Sequence, residues 1–166
     1  MIEGLGDLLG AAARAEIITS DMEMRIIKVK DKLAGNIHRP RVFFQIDAEP
    51  IVSAGRNTFI HELIRMAGGL NLAADSGVTA YPKFSWEDVL AFQPEVAIVA
   101  SMAGGFSEED LKAGWQRWPQ LAAVKNKRVH VVDASLVDRP TPRLIEGLEV
   151  FAGIIHPELF GEARAD

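Results

Sequence analysis

Cysteine is absent from all 166 residues, which removes disulfides, thiolate nucleophiles and cysteine-ligated metals together and leaves the redox compartment open. No apolar run approaches the roughly 18 residues that a membrane-crossing helix requires. A basic stripe is missing too. With 18 Lys and Arg against 23 Asp and Glu the net charge is −5, which argues against nucleic acid as a partner. The opening MIEGLGDLLG carries early acids and lacks a basic start followed by an apolar core, so it does not read as a secretory signal. An exported protein would carry that signal outside this chain.

The motifs of phosphate, metal and nucleophile chemistry are also missing. There is no G-x-G-x-x-G, no G-x-x-x-x-G-K-[ST], no H-E-x-x-H and no G-x-S-x-G. His38, His61, His130 and His156 are far apart in sequence, so capping or solvent-facing roles are expected for them and no metal site.

What is present is a composition, 48% hydrophobic and 25% charged, that supports one core of ordinary size. From Ala12 to Leu33 the positions Ala12, Ala15, Ile18, Met22, Ile26, Val29 and Leu33 step by three or four, predicting a long amphipathic helix. Gly35, Asn36 and Pro40 end it, while Gly4, Gly6 and Gly10 weaken helix before it. The period then changes. Three nearly continuous apolar runs, Val42 to Asp47, Val96 to Ala100 and Val129 to Asp133, read as strands covered on both faces, and Asn71 to Ala73 as a possible short fourth.

Helical patterns follow the strands at Thr58 to Ala67, Trp86 to Phe92, Glu108 to Leu121 with a break near Pro119, and Arg143 to Ile155. Alternating strand and helix predicts an α/β fold, a three-layer sandwich around a mainly parallel sheet.

Ligands of such sheets bind at the carboxyl ends of the strands, which nominates the loops 48–57, 76–85, 101–107 and 134–142. They hold Arg56, Asn57, Tyr81, Met102, the Gly104-Gly105 pair, Asp138 and Arg139. Planar, cationic and small residues together suit capture of a large, partly anionic molecule more than catalysis. Asn57 or Thr58 is expected to cap the following helix, whereas capping does not account for Arg56 beside it. Arg139-Pro140-Thr141-Pro142-Arg143 fixes two arginines with prolines; Arg139 points to the cleft, and Arg143 is expected to pair with an acid such as Asp133 or Asp138. Trp86, Trp115 and Trp118 are assigned to packing. Ser85 reads as an N-cap, with Glu87 favoured in the first helical turn by the dipole.

The order and spacing of several segments resembles a known family. They are Arg41 to Asp47, Ser53-Ala54-Gly55-Arg56-Asn57-Thr58-Phe59, Ala67-Gly68-Gly69-Leu70-Asn71, Ser85-Trp86-Glu87-Asp88-Val89-Leu90, Trp118-Pro119-Gln120-Leu121 and Arg139-Pro140-Thr141-Pro142-Arg143. Over nearly the whole chain they resemble the C-terminal lobe of class III periplasmic binding proteins for siderophores, haem and cobalamin. The resemblance implies residues 1–35 as the helix region joining two lobes and 36–166 as the ligand-binding lobe. It implies a non-enzymatic substrate-binding component of an ABC importer, with no intrinsic cofactor and an iron or cobalt chelate as ligand.

By the same match Arg56, Asn57, Tyr81, Met102 and Arg139 would face the ligand, and Glu87 would dock on arginines of the permease. The location implied is periplasmic, or extracellular and membrane-anchored. The family's other lobe has no counterpart before Met1, so a homodimer is expected to cover the exposed surface. Two other readings stay open: a dimerising or partner-docking module that keeps the fold without the ligand, and a small nucleotide-dependent enzyme domain, for which no phosphate loop is present.

Overall fold

A computed structural model describes residues 2–76, 80–101 and 107–161. In chain order the elements are α1 (Ile2–Leu8), α2 (Ala12–Leu33), β1 (Arg41–Gln45), β2 (Asp47–Ala48), β3 (Ile51–Val52), α3 (Phe59–Met66), β4 (Leu70–Asn71) and β5 (Lys83–Phe84). Then come α4 (Trp86–Phe92), β6 (Val96–Ser101), α5 (Glu108–Gln116), α6 (Ala122–Lys125), β7 (Val129–Asp133), α7 (Leu144–Ile155) and α8 (Pro157–Phe160).

The strands β4-β1-β6-β7 form one parallel sheet, with Val42 opposite Val96 and Val99 opposite Val131. Side chains alternate across a strand, and here both faces are covered. Val42, Phe44, Val96, Ile98 and Val132 pack with α3, α7 and Val29 of α2. Phe43, Ala97, Val99 and Val131 pack on the other side with Val89 of α4, Trp115 of α5, and Leu121 and Ala123 at α6. Each of the buried Val, Ile, Leu and Phe side chains contributes about 1.5–3 kcal/mol, which is why the near-continuous apolar runs fix the strands so firmly.

The α/β sandwich expected from the sequence is therefore the one found, and the tryptophans pack as expected. Trp86 meets Trp115 edge to face at 5.4 Å, and Trp115 donates its Nε1–H to Gln45 Oε1 at 2.7 Å. Ser85 caps α4 in a reciprocal box with Asp88, Ser107 does the same for α5 with Asp110, and Thr58 caps α3 by accepting from the His61 N–H.

Three local expectations need correction. The glycines before Ala12 do not prevent a helix: α1 forms and folds back on α2, where the missing side chain of Gly6 leaves room for Ala15, whose Cβ would lie 2.5 Å from a Cβ at residue 6. Packing overrides propensity there. A second, antiparallel sheet of β2, β3 and β5 joins segments read as loops, because Ile51 pairs with Phe84 and packs under the aromatic cluster. The fourth strand of the main sheet ends at Asn71, short of Ala73, since Asn71 turns the chain by accepting the Ala73 N–H on Oδ1 at 3.1 Å.

Candidate functional site

Because β1, β6 and β7 run parallel, their carboxyl ends share one edge of the sheet, and the chain leaves each into a loop. Between those ends lies an apolar pocket of about 160 Å³ floored by Phe44, Ile46 and Ala100, walled by Phe59, Ile60, Ala134 and Val137, and flanked by Tyr81 and Asp138. The N-terminus of α3, aimed by the Thr58 cap, closes one side. On the other, the turn Ala134–Leu136 is started by Asp133, whose carboxylate accepts the Ser135 N–H and is held below the usual range by that residue's hydroxyl and amide.

The sequence-nominated residues surround this edge unequally. Tyr81 is half exposed and stands at the pocket mouth. Arg139 is 77% exposed and pairs with Asp138 at 3.5 Å, next to the pocket. Arg56 is solvent-facing and ion-paired with Asp75, and Asn57 beside it is exposed. Neither lines the pocket. Arg143 is paired as expected, but with Glu146 at 3.3 Å instead of Asp133 or Asp138. Met102 and the Gly104-Gly105 pair lie outside the described residues. Glu87 is exposed in the first turn of α4, away from this pocket and in no ion pair among the described residues.

Sequence reasoning missed the apolar lining of the pocket. Phe44, Phe59 and Ile60 look like core in any pattern, and only the strand order shows that their positions reach an open edge. Asp75 was missed as the partner of Arg56, since nineteen residues separate them and no periodicity links them. The histidines divide. His156 caps the end of α7 but is buried, with Nε2 at 3.3 Å from the Gly68 carbonyl and Nδ1 at 2.9 Å from Glu158 Oε1. The solvent-facing expectation therefore fails for it. Among the described residues no three His, Asp or Glu side chains converge on a metal position.

Comparison with known proteins gives these features a context. Residues 1–136 match the periplasmic binding protein family. An uncharacterized ABC transporter substrate-binding lipoprotein of Bacillus subtilis is 32% identical over 97% of this chain and 50% of its own length. The vitamin B12-binding protein of Vibrio cholerae is 33% identical over 78% of this chain and 45% of its own. Among solved structures, a periplasmic heme binding protein from Pseudomonas aeruginosa superposes with a TM-score of 0.82 at 26% identity, covering 95% of this chain and 58% of that one. The chain spans about half the length of the curated relatives it matches. On the match over most of its length, the chain belongs to the periplasmic binding protein family, a family of binding components of transport systems that are not enzymes.

Proposed function

We propose that this chain is the ligand-facing lobe of a substrate-binding protein that delivers a metal chelate, of the cobalamin, haem or ferric siderophore class, to an ABC permease. The observation that carries the reading is the pocket at the carboxyl ends of β1, β6 and β7: an apolar floor with Tyr81 and the Asp138–Arg139 pair at its mouth. A flat macrocycle or chelate face rests on apolar carbon while Arg139 at the rim meets its carboxylates or propionates. Arg139 and Tyr81 are the first-rank ligand contacts in this reading. Arg56, Asn57 and Met102 come from the same strand-end loops and contact a ligand larger than the pocket itself. Relatives named for vitamin B12 and heme support the ligand class and leave the choice within it to experiment.

In this reading Glu87 docks on cationic groups of the permease, and the protein works outside the cytoplasmic membrane. Residues 1–35 are the connecting helix region and 36–166 the binding lobe. The test is a thermal-shift panel of cyanocobalamin, haemin and a ferric hydroxamate against the wild type, Tyr81→Ala and Arg139→Ala. Ligand that binds only the folded state raises Tm by linkage. A rise with one class, lost in both variants, supports the site; a rise unchanged in both variants moves the ligand elsewhere.

A second reading rests on a different surface. Leu5, Leu8, Leu9, Ile17, Met24 and Ile27 of the α1–α2 region are each at least half exposed, an apolar strip of the kind that marks an interface. A second copy of the chain covers it in this reading. Light scattering at micromolar concentration tests the point: a monomer excludes the homodimer.

A further inference from the structure

The sheet has a second edge, where β1 and β4 begin and α2, α3 and α7 end. A cavity of about 320 Å³ opens there, on the side of the fold opposite to the chelate pocket. Its lining includes Lys30, Arg39, Arg65 and the imidazoles of His38 and His156, and no acidic side chain. In a chain whose net charge is −5, such a concentration of cations calls for a counter-charge.

Some of these groups are already committed. Arg65 is held by Glu62 at 2.8 Å, His38 lies 3.7 Å from Glu95, and His156 is fixed between Gly68 and Glu158. Lys30 and Arg39 are different. Among the described residues neither has an ion-pair or hydrogen-bond partner, and both are exposed. Cations near helix C-termini are favoured by the dipole, which explains a Lys in the last turn of α2. It does not explain Arg39, which follows the helix by six residues and enters the cavity from the segment leading into β1. The last helical carbonyls also have partners of their own: Asp31 O accepts from Ala34, Ile64 O from Gly69, and Ala152 O from His156. The two cations are therefore free for a ligand.

We infer that this cavity is an oxyanion site, in which Arg39 and Lys30 together hold a phosphate group, carried either by a free phosphate or by an anionic lipid headgroup. The guanidinium supplies a planar fork of donors that matches two phosphate oxygens, the ammonium a mobile point charge for a third. The site is independent of the chelate pocket, so it stands or falls separately from the transport reading.

The experiment uses the full chain. Inorganic phosphate is titrated against chloride at matched ionic strength and followed by backbone amide shifts, for the wild type and for Lys30→Gln with Arg39→Gln. Flotation with vesicles of phosphatidylglycerol, and of phosphatidylcholine as control, runs beside it. Both side chains are solvent-facing, so the variants keep the fold, which an unchanged Tm in phosphate-free buffer verifies.

The expected result is saturable shifts at Ala34 to Arg39 and at Gly68, weakened about tenfold or more in the double variant, the scale of losing one charge-assisted hydrogen bond. Selective flotation with phosphatidylglycerol, lost in the double variant, without response to free phosphate assigns the headgroup instead. No saturable response to either probe, or a response that the double variant retains, overturns the site.

Discussion

Two glycines in helices of this fold predict opposite consequences of one substitution. In α7, a Cβ at Gly147 would lie 2.9 Å from the Leu136 carbonyl oxygen and 3.0 Å from Val137 Cγ1. In α5, a Cβ at Gly114 meets only Trp86 Cζ2 at 3.8 Å, an ordinary contact. Replacing glycine by alanine inside a helix gains about 1 kcal/mol from backbone entropy at either position. At Gly147 the gain is opposed by overpacking of about 1–3 kcal/mol, because the nearest atom is backbone and cannot rotate away. The helix gain cancels in the comparison, so Gly147→Ala is expected to be about 1–3 kcal/mol less stable than Gly114→Ala. For a chain of this length that is a difference in Tm of about 2–12 °C.

The assay is thermal and urea unfolding of both variants beside the wild type. Because the turn after β7 carries Ala134, Val137 and Asp138 of the strand-end pocket, Gly147→Ala is also expected, under the proposed function, to weaken any chelate response while Gly114→Ala leaves it intact. Equal stability of the two variants would refute the claim that α7 lies against the pocket wall at the limit of backbone approach.

Further outcomes follow from buried contacts and titrating groups. Arg25 of α2 holds Glu149 of α7 through two hydrogen bonds of 2.9 and 2.6 Å, so the Glu149 carboxyl is held below its ordinary value, mainly by that guanidinium. A depressed carboxyl stabilises the fold above its unfolded value and loses that contribution as pH falls through the folded one. Glu149→Gln should therefore cost about 1 kcal/mol or less at pH 7, a cost that shrinks as pH falls below the ordinary carboxyl value of ~4.3 and vanishes only at the lower pH where the folded-state acid is protonated, in paired unfolding curves. His130 in β7 is shifted down, first by burial and then by Arg128 and Lys112. The unfolded state then binds its proton more readily, so stability falls as pH drops below ~6.5; His130→Gln should flatten that part of a Tm-against-pH profile. Trp115→Phe leaves Gln45 Oε1 buried without its donor, and a loss of about 1–3 kcal/mol in urea unfolding is expected.

The elements legible in the sequence were those decided by burial over many residues. The runs at Val42, Val96 and Val129 are apolar on both faces because both faces are covered, and that pattern survives without any knowledge of partners. Ser85 announces its helix because a cap is satisfied within three residues; Ser107 caps α5 by the same geometry but was not read from the sequence. The features that escaped depend on contacts across the chain. Helix α1 is stabilised by Ala15 meeting Gly6, and β3 by pairing with Phe84 some thirty residues on; neither leaves a periodic trace. Arg56 and Arg139 were chosen on identical grounds, position in a strand-end loop, and neither lines the pocket; they differ in their partners, since Asp138, which holds Arg139, lines it and Asp75, which holds Arg56, does not. A loop reading gives the edge of the sheet, while the distance from the pocket depends on where the loop folds back.

That difference bears on how ligand choice is divided. The pocket offers carbon on its floor and one phenol at its mouth, with charge only at the rim, where Asp138 already occupies Arg139. An anionic ligand must compete with that carboxylate, and the exposed pair is worth at most about 1 kcal/mol, so the arginine can exchange partners at small cost. A neutral or apolar chelate face has no such competition and binds the floor with the pair intact. Asp138→Asn separates the two cases. It frees Arg139 and should strengthen binding of a carboxylate-bearing chelate such as haemin several-fold, while leaving a ligand held through the apolar floor unchanged. Weaker haemin binding in Asp138→Asn would mean that Asp138 itself contacts the ligand and that Arg139 is not the group that meets its carboxylates.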